Sequence, residues 1–383
     1  MSQDSRFFVF GAINLTSLFI FYMSPLSIIA SLLRPLLYPF SLLYGIIIWM
    51  RNKLYDAGFM SSVSFSVPVI CVGNLSTGGT GKTPHIEYLI RMLQYRYQVS
   101  TMSRGYKRLT KGFRVADDAT DATHIGDEPM QFHKKFPDVV VSVCEDRMTG
   151  IPSLLARRPD IDVVLLDDAY QHRSVKPGLN ILITDYSKPF YTDYILPFGG
   201  LRESRKASSR ADVIIVSKCP LNISETAKNE FVKNINPLPH QQVFFTGINY
   251  SQPVDFFTGL PVAIAPTANI VLACGIAKPE PLVAYLKQQA ANVHLLRYPD
   301  HHYFSRNNLE EIRQTFQGWD AADKMIVTTE KDAVRLAIHA ETLREWNIPI
   351  VVVPVAVTFL GNEAAFATIV EEYIEREKAE SQL

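Results

Sequence analysis

The segment 67–90, with the sequence VPVICVGNLSTGGTGKTPHIEYLI, constrains the fold of this chain more than any other stretch. A β-branched apolar run ends in a glycine-rich loop, and apolar residues at helical spacing follow the loop. A strand, such a loop and a helix in this order are typical of a P-loop, whose backbone N–H groups surround phosphate oxygens. The loop residues predicted to bind phosphate are Ser76, Thr77, Gly78, Gly79, Thr80, Gly81, Lys82 and Thr83.

Two residues of this loop have side-chain roles in P-loop enzymes. We expect Lys82 to reach the β- and γ-phosphates of a nucleotide and the Thr83 hydroxyl to bind Mg²⁺. Ser76 departs from the usual pattern, because the first glycine of the loop is expected at its position. A glycine-rich hairpin that contains Gly-Lys-Thr by chance is the alternative, but the flanking strand and helix favour a P-loop.

Strand patterns alternate with helical patterns from residue 67 onward, which is typical of a parallel sheet covered on both faces. The first series of predicted strands spans 69–73, 98–102, 138–143, 161–166, 179–184 and 211–217. After a polar, proline-containing stretch, the second series spans 269–274, 293–297, 324–328 and 349–354. We therefore predict an α/β fold, with a P-loop NTPase-like parallel sheet domain at 57–240 and a second, smaller α/β domain at 241–383 that closes over the site.

Charged residues are nearly absent from the start of the chain. Residues 7–33 contain no charged side chain, and this run exceeds the about 20 residues that a helix needs to span a bilayer. A second uncharged run, 35–50, contains two prolines and is more typical of an interfacial or obliquely inserted helix. Because basic residues mostly follow these runs, we expect the rest of the chain on the cytoplasmic side. We predict an N-terminal membrane-anchoring helical segment at 1–56 rather than a cleaved signal peptide, since the start MSQDSR is nearly neutral.

The composition excludes several other classes of protein. The chain has 383 residues with 38 basic and 38 acidic side chains, and this balance argues against a general nucleic-acid-binding protein. Its four cysteines are far apart and form no Cys-x-x-Cys pair, so neither a zinc site nor a disulfide framework is predicted. They are expected to be buried, reduced thiols.

An apolar strand pattern at 163–166 ends in Asp167 and Asp168. In P-loop enzymes a buried strand beside the loop carries an acid to the Mg²⁺. Adjacent residues of a strand point to opposite faces, so one of the two is expected to be the direct ligand, and the spacing does not say which. A pair of solvated turn acids is the alternative. Gln171 adds a polar group at the same sheet edge.

Three further motifs are individually weak. Asp127 and Glu128 open a helical stretch, where acids are normal capping residues. Arg202 follows a Gly-Gly pair and has no clear role by itself. The sequence Asp300-His301-His302 can bind a metal ion or tune a proton acceptor, and the lack of an evident third ligand disfavours the metal.

Seven motifs occur in one order: VGNLSTGGTGKTP, SRGYKR, GDEP, DDAYQHR, LPFGGLRES, YPDHHYF and TTEKDAVRL. Together they resemble the tetraacyldisaccharide 4′-kinase family, the lipid A 4′-kinases, over residues 36–335. Ser76 agrees with this resemblance, because a Ser or Thr at that position is usual in the family. Two features depart from the family. Ala169 stands where the family usually has glycine, and the run 7–33 precedes the family's usual single anchoring helix.

The resemblance implies transfer of the γ-phosphate of ATP to the 4′-hydroxyl of a tetraacylated glucosamine disaccharide 1-phosphate, a lipid A precursor. This reaction takes place at the cytoplasmic face of a Gram-negative inner membrane. Asp127 is implied as the general base, and His301, favoured over His302, as the residue that orients or tunes it. The implied cofactors are ATP and Mg²⁺, and neither nucleic acid nor an obligate protein partner is expected. Lys82 and Arg202 are further implied catalytic residues, Lys82 and Gln171 are implied at the nucleotide, and the implied metal-binding residues are Thr83, Asp167, Asp168 and Glu128.

A membrane-associated P-loop ATPase or GTPase that acts as a switch or positioning factor is the main alternative. Proteins of that class with a deviant loop have a lysine at its start, where this chain has Thr77. The guanine-specific motif Asn-Lys-x-Asp is also absent, because the sequence at 217–220 is SKCP. A structural membrane protein is a third possibility, and it requires the P-loop and the paired acids to be coincidental.

Overall fold

The computed structural model describes residues 34–381. The predicted membrane segment at 7–33 lies outside these residues. The strands are β1 (Val69–Gly73), β2 (Val99–Ser103), β3 (Arg114–Val115), β4 (Val140–Val143), β5 (Val163–Asp167), β6 (Leu179–Asp185), β7 (Val213–Ser217), β8 (Gln242–Tyr250), β9 (Val254–Asp255), β10 (Asn269–Cys274), β11 (Asn292–Arg297), β12 (Lys324–Thr329), β13 (Ile350–Val353) and β14 (Val355–Phe359).

The α-helices are α1 (Tyr38–Asp56), α2 (Lys82–Leu93), α3 (Ala122–Ile125), α4 (Asp127–Lys135), α5 (Arg147–Arg157), α6 (Glu225–Ile235), α7 (Glu280–Lys287), α8 (Arg306–Gln317), α9 (Glu330–Leu336), α10 (Ala340–Glu345) and α11 (Glu363–Ser381). Short 3₁₀ helices lie at Arg34–Leu37, Phe190–Thr192, Arg205–Arg210 and Ala337–His339.

The larger sheet has the strand order β14-β8-β7-β6-β1-β5-β2-β4-β3. Its inner strands are parallel, and the two edge strands β3 and β14 run antiparallel to their neighbours. Strands β1, β5 and β7 are buried along their whole lengths, as expected for parallel strands with both faces covered. Alternate residues of β1 belong to two separate apolar clusters, with α2, α4 and α11 on one face and α5 and α6 on the other.

The smaller sheet has the order β11-β10-β12-β13-β9, and only the short edge strand β9 is antiparallel. Helix α8 packs on one face and α7 on the other. The predicted α/β fold, with a large parallel sheet beside a smaller α/β unit, is therefore confirmed. The four cysteines are buried free thiols, also as predicted.

The chain does not divide between the two sheets at residue 240 as the sequence pattern predicts. Strand β8 pairs with β7, and after β13 the chain returns through Pro354 to β14, which pairs with β8. Helix α11 then packs on the larger sheet, where the Tyr373 hydroxyl bonds the backbone of Val69 (2.9 Å to N, 3.1 Å to O). Two segments thus connect the units, and Ser251 N–H donates to the Pro354 carbonyl between them (2.9 Å).

Helix α1 begins in the predicted interfacial run. Its residues at positions 41, 44, 45, 48 and 52 face the protein, and Ser41 Oγ donates to the Ile195 carbonyl (2.7 Å). The opposite face is apolar and exposed, as illustrated by Phe40 (63%) and Trp49 (59%). Among residues 34–381, no helix is long and apolar enough to cross a membrane.

Candidate active site

The P-loop lies at the carboxyl end of β1 and leads directly into α2, which begins at Lys82. Gly78 and Gly81 have φ angles of 103° and 91°, which glycine adopts without the steric cost that other residues incur. The loop therefore has the backbone that the sequence pattern predicts. Helix α2 directs its amino-terminal N–H groups toward the space above the loop, where an anion is stabilised by the helix dipole.

The segment 196–204 lies beside the start of the P-loop. Thr77 N–H donates to the Gly200 carbonyl (2.7 Å), and Arg202 N–H donates to the Leu75 carbonyl (2.7 Å). The LPFGGLRES motif, which has no chemical meaning by itself, thus fixes the loop and positions the Arg202 side chain next to it.

Two side chains outside the phosphate-contacting part of the loop contact its backbone carbonyls. Ser217 Oγ donates to the Thr80 carbonyl (2.6 Å), and His85 Nδ1 lies 2.7 Å from the Gly81 carbonyl. The other ring nitrogen of His85 lies 3.0 Å from Thr246 Oγ1. A neutral ring with its proton on Nδ1 satisfies both contacts, since Nδ1 donates to the carbonyl and Nε2 accepts from the hydroxyl.

His85 makes folding stability depend on pH. Burial is the main cause that lowers the pKa of His85 from 6.5 to about 4. Below pH 6.5 the unfolded chain takes up a proton that the folded chain does not bind, so the free energy of unfolding decreases as the pH falls toward 4. We expect the wild-type protein to lose about 3 kcal/mol more than His85→Asn over this range, measured by urea unfolding. Equal losses would contradict a neutral, buried His85.

Lys218 follows β7 and also contacts the P-loop. Its Nζ donates to the Gly79 carbonyl and pairs with Asp185 (2.9 Å). In the sequence, Lys218 belongs to SKCP at 217–220, which lacks the guanine-specificity pattern. In the structure Lys218 contacts the loop. Its aliphatic stem also passes close to Gly81, because a Cβ atom added to Gly81 would lie 3.8 Å from Lys218 Cε.

Asp168 is the acid that contacts the basic residues of the site. Arg202 Nη1 lies 2.9 and 3.0 Å from its two carboxylate oxygens, and Lys82 Nζ lies 3.6 Å from Oδ1. Burial raises the pKa of Asp168, but the charges of Lys82 and Arg202 outweigh it and hold the pKa below its usual range. Asp168 itself has the left-handed φ of 50° in this motif, and Ala169 does not have a positive φ. The alanine that departs from the family pattern therefore causes no backbone strain.

Asp167 ends β5 and is buried. Ser103 Oγ donates to its Oδ2 (3.2 Å), whereas its Oδ1 has no hydrogen-bond partner. Burial, followed by the charges of Glu128 and Asp168, raises the pKa of Asp167 to about 7. Three acidic side chains are thus close together, with an unpartnered buried carboxylate oxygen among them, and this donor set suits a hard divalent cation.

Protein groups alone do not complete a metal site within residues 34–381, where no three His, Cys, Asp or Glu side chains are arranged to hold an ion. This agrees with Mg²⁺ sites of nucleotide enzymes, which use one or two carboxylates together with phosphate oxygens and water. Gln171 lies beside the acids, and its side chain links two parts of the site: Nε2 donates to the Asn74 carbonyl (2.9 Å) and Oε1 accepts from Arg202 (3.3 Å).

Asp127 is the first residue of α4, and its side chain is directed to the smaller unit. His301 Nδ1 lies 3.0 Å from Asp127 Oδ2, and Arg335 Nη2 contacts the same oxygen. Burial raises the pKa of Asp127, but the bonds from His301 and Arg335 outweigh it and hold the pKa below its usual range. Asp127 Oδ1 is buried without a hydrogen-bond partner, so one oxygen of this carboxylate is left for another group.

His302 has different surroundings from His301. Its ring stacks on Tyr298 with 5.0 Å between the centroids, and its Nε2 lies 2.9 Å from Asn308 Oδ1. The two adjacent histidines therefore point in different directions, and His301 is the one that contacts Asp127.

The predicted site residues form two neighbouring groups. Lys82, Asp168, Arg202 and Gln171 contact one another at the P-loop, and Asp127 and His301 meet across the two units. Glu128 joins the groups, because it follows Asp127 directly and its charge acts on Asp167. The sequence pattern assigns no role to the residues that support these groups, His85, Ser103, Lys218, Lys331 and Arg335, although Ser103 lies in the SRGYKR motif and Lys331 and Arg335 lie in TTEKDAVRL.

A P-loop in a parallel sheet, an acidic strand end beside it and an Asp–His pair formed between the two units define a P-loop phosphotransferase. A family model described as tetraacyldisaccharide-1-P 4′-kinase (LpxK) matches residues 33–375. Curated proteins named tetraacyldisaccharide 4′-kinase are similar over most of their length. The one from Bacteroides thetaiotaomicron is 45% identical over 85% of this chain and 89% of its own. The one from Flavobacterium johnsoniae is 44% identical over 90% and 98%.

A crystal structure described as the "apo" form of LpxK from Aquifex aeolicus in complex with ATP has the same fold. Its TM-score is 0.70 with 28% identity, and the match covers 89% of this chain and 99% of that one. This chain therefore belongs to the tetraacyldisaccharide 4′-kinase family.

Proposed function

We propose that this protein transfers the γ-phosphate of ATP to the 4′-hydroxyl of a tetraacylated glucosamine disaccharide 1-phosphate, a precursor of lipid A. The observation that carries the proposal is the Asp127–His301 contact (3.0 Å), formed between two units beside the P-loop and its acids. An acceptor hydroxyl must lose a proton as it attacks phosphorus, and an acid with one unpartnered oxygen, held by a second unit, suits this step of a kinase reaction.

The P-loop binds and neutralises the phosphates of ATP. Its backbone N–H groups and Lys82 stabilise charge on the transferring group, which is the main electrostatic contribution in phosphoryl transfer. Arg202 acts beside Lys82, because both approach Asp168 within 4 Å (2.9 and 3.6 Å). Their position lets them balance the acids when no ion is bound and contact phosphate oxygens when a nucleotide is bound.

Thr83, Asp167, Asp168 and Glu128 are the residues proposed to hold Mg²⁺. The unpartnered Oδ1 of Asp167 and the raised pKa of this acid, caused first by burial and then by Glu128 and Asp168, support this assignment. When bound, the ion neutralises negative charge on the β- and γ-phosphates.

Asp127 is proposed as the general base on the 4′-hydroxyl. Its Oδ2 is occupied by His301 and Arg335, whereas Oδ1 has no partner and is the oxygen that accepts the proton. The new O–P bond forms as the bond between the γ-phosphorus and the bridging oxygen of ADP breaks, and the hydroxyl proton passes to Asp127. His301 holds the carboxylate in place throughout.

The product of the reaction tests this function. The purified protein is incubated with ATP and a tetraacyldisaccharide 1-phosphate, and the lipid is analysed by mass spectrometry with fragmentation. We expect one added phosphate, located on the sugar that carries the free 4′-hydroxyl. Hydrolysis of ATP at the same rate without the lipid, and no phosphorylated lipid, would favour the switch instead.

Helix α1 is proposed to bring the site to the cytoplasmic face of the inner membrane. Its protein-facing side lies on the segment beside the P-loop, where Tyr44 donates to the Arg202 carbonyl (3.1 Å). Its exposed side is a continuous apolar stripe, which is typical of a helix lying in the membrane interface. The active site then lies next to the surface that holds the acyl chains of the acceptor.

Two acidic substitutions on this stripe are expected to weaken membrane binding. Leu43 (59% exposed) and Ile47 (56%) lie one turn apart on α1. In protein lacking residues 1–33, Leu43→Asp/Ile47→Asp should reduce binding to phospholipid vesicles about 100-fold. The reason is that two apolar side chains that would enter the membrane are replaced by charged ones. Cosedimentation measures this, with Leu109→Asp at a different exposed site (80%) as the control. Unchanged vesicle binding would contradict the role of α1.

A further inference from the structure

Helix α9 carries two basic residues, Lys331 and Arg335, that lie four positions apart and therefore on one face of the helix. Both are directed to the Asp127–His301 pair. Lys331 Nζ lies 3.1 Å from His301 Nε2, and Arg335 Nη2 contacts Asp127 Oδ2 and lies 3.1 Å from His301 Nδ1. Lys331 thus approaches His301, and Arg335 approaches both members of the pair.

Arg335 is buried (1% exposed) and is held independently of Asp127. Its Nη1 lies 3.3 Å from Asp332 Oδ1, and Asp332 is fixed in turn by Thr329 Oγ1 (2.7 Å) and Gly275 N–H (3.0 Å). A guanidinium fixed in this way defines where Asp127 Oδ2 lies. The rotation of the carboxylate is then set, and Oδ1 keeps one direction.

Lys331 determines where the proton of His301 lies. A lysine ammonium can only donate hydrogen bonds, so His301 Nε2, 3.1 Å away, must accept. The neutral ring therefore carries its proton on Nδ1, which lies 3.0 Å from Asp127 Oδ2 and donates to it. Arg335 Nη2 donates to the same carboxylate oxygen, so its 3.1 Å approach to Nδ1 is a contact between two donors that share one acceptor. Asp300 Oδ1 keeps the ammonium in place from the other side (3.0 Å).

The position of α9 is fixed relative to the P-loop helix. Its first residue, Glu330, pairs with Lys135 of α4, and Lys135 pairs with the buried Glu87 of α2 (2.7 Å). Glu330 Oε2 also accepts from Val355 N–H (3.1 Å), where the chain re-enters the larger sheet. Helix α9 is thus connected by ion pairs to both helices that begin at the site.

We propose that Lys331 and Arg335 are positioning residues for the phosphoryl transfer. Lys331 keeps the proton of His301 on Nδ1, and Arg335 fixes Asp127 Oδ2, so that the free Oδ1 is presented to the acceptor hydroxyl. This inference rests on the proposed function. Both residues act through the Asp–His pair, which they contact directly.

The kinetic test separates kcat from KM. Lys331→Met is expected to lower kcat about 10- to 100-fold, the range typical of residues that orient a functional histidine, with little change in the KM for ATP. Lys331→Arg keeps a donor and should recover part of the loss. Arg335→Lys should also lower kcat, because it has a charge but not the forked geometry. Lys287→Met, at an exposed position of the same unit, is the control.

Ring ¹⁵N chemical shifts of His301 test the same inference without turnover. In the wild-type protein we expect a protonated Nδ1 and a hydrogen-bonded, unprotonated Nε2, with His301→Gln used for assignment. In Lys331→Met part of the population should have its proton on Nε2. A wild-type His301 that is protonated on Nε2 would contradict the inference. Unchanged kcat in both Lys331→Met and Arg335→Lys would contradict it as well, and neither result would affect the proposed function. A wild-type protein that transfers no phosphate to the lipid would contradict the proposed function, and the inference with it.

Discussion

Lys82→Ala is expected to lower turnover at least about 1000-fold, because the mutation removes a preorganised positive charge from the transferring phosphate. The structure adds a second cause. Lys82 lies 3.6 Å from Asp168, and its charge offsets part of the rise in the pKa of Asp167. Its loss leaves Asp167, Asp168 and Glu128 with less compensating positive charge. Nucleotide phosphates then approach a more negative site.

Initial rates at saturating lipid and varied ATP measure this effect. The fold should be nearly unaffected, since Lys82 is the first residue of α2 and Ala is well tolerated there. Thermal unfolding and vesicle binding should therefore match the wild-type protein, and Lys287→Met again serves as the matched exposed control. Turnover within about tenfold of the wild type would contradict the P-loop assignment.

Asp127→Asn is expected to lower kcat about 100- to 10,000-fold, the usual contribution of a general base. The amide keeps the size of the carboxylate but cannot accept the proton. ATP affinity should hardly change, because the described contacts of Asp127 are with His301 and Arg335 of the second unit. The measurement is kcat together with the equilibrium binding of ATP.

Stability has to be followed in the same experiment. Removing the negative charge leaves the buried Arg335 without one partner, and breaking a buried ion pair costs about 3–5 kcal/mol. Arg335 keeps its second partner, Asp332, at 3.3 Å. The decrease in the free energy of unfolding should therefore be about 3 kcal/mol or less. Assays are therefore run well below the unfolding temperature. If ATP affinity falls by as large a factor as kcat in Asp127→Asn, Asp127 has a metal-binding or capping role instead.

The parts of the site that lie on one continuous segment are those that local sequence predicts. Strand β1, the glycine loop and α2 form one continuous segment, so a local pattern is sufficient to define them. Asp167 and Asp168 were predicted for a similar reason, since an all-apolar run before two acids is the pattern of a buried parallel strand that ends at the ligand edge.

The pair across the two units could not follow from local patterns. His301 is 174 residues from Asp127, and Arg335 is 208 residues from it. Asp127 alone is indistinguishable from a capping acid, and Arg335 alone looks like the last-turn cation of a helix. Only the resemblance to a family joined Asp127 to His301, and it assigned nothing to Arg335.

The return of the chain to the larger sheet was missed for the same physical reason. Strand β14 begins after a single residue beyond β13, and both are short apolar runs. One pairs parallel in the smaller sheet, and the other pairs antiparallel with β8, about a hundred residues earlier in the chain. Propensity identifies such runs as strands but does not say which sheet they join.

The measurement that tests the central claim most directly is a double-mutant cycle of kcat for Asp127→Asn and His301→Ala. If the two residues act as one unit, the double variant should be little slower than the slower single variant. His302→Ala is the control, since its ring contacts Asn308 and Tyr298 rather than Asp127, and it should leave kcat nearly unchanged. A double variant whose loss equals the product of the two single losses would contradict a base assembled between the two units.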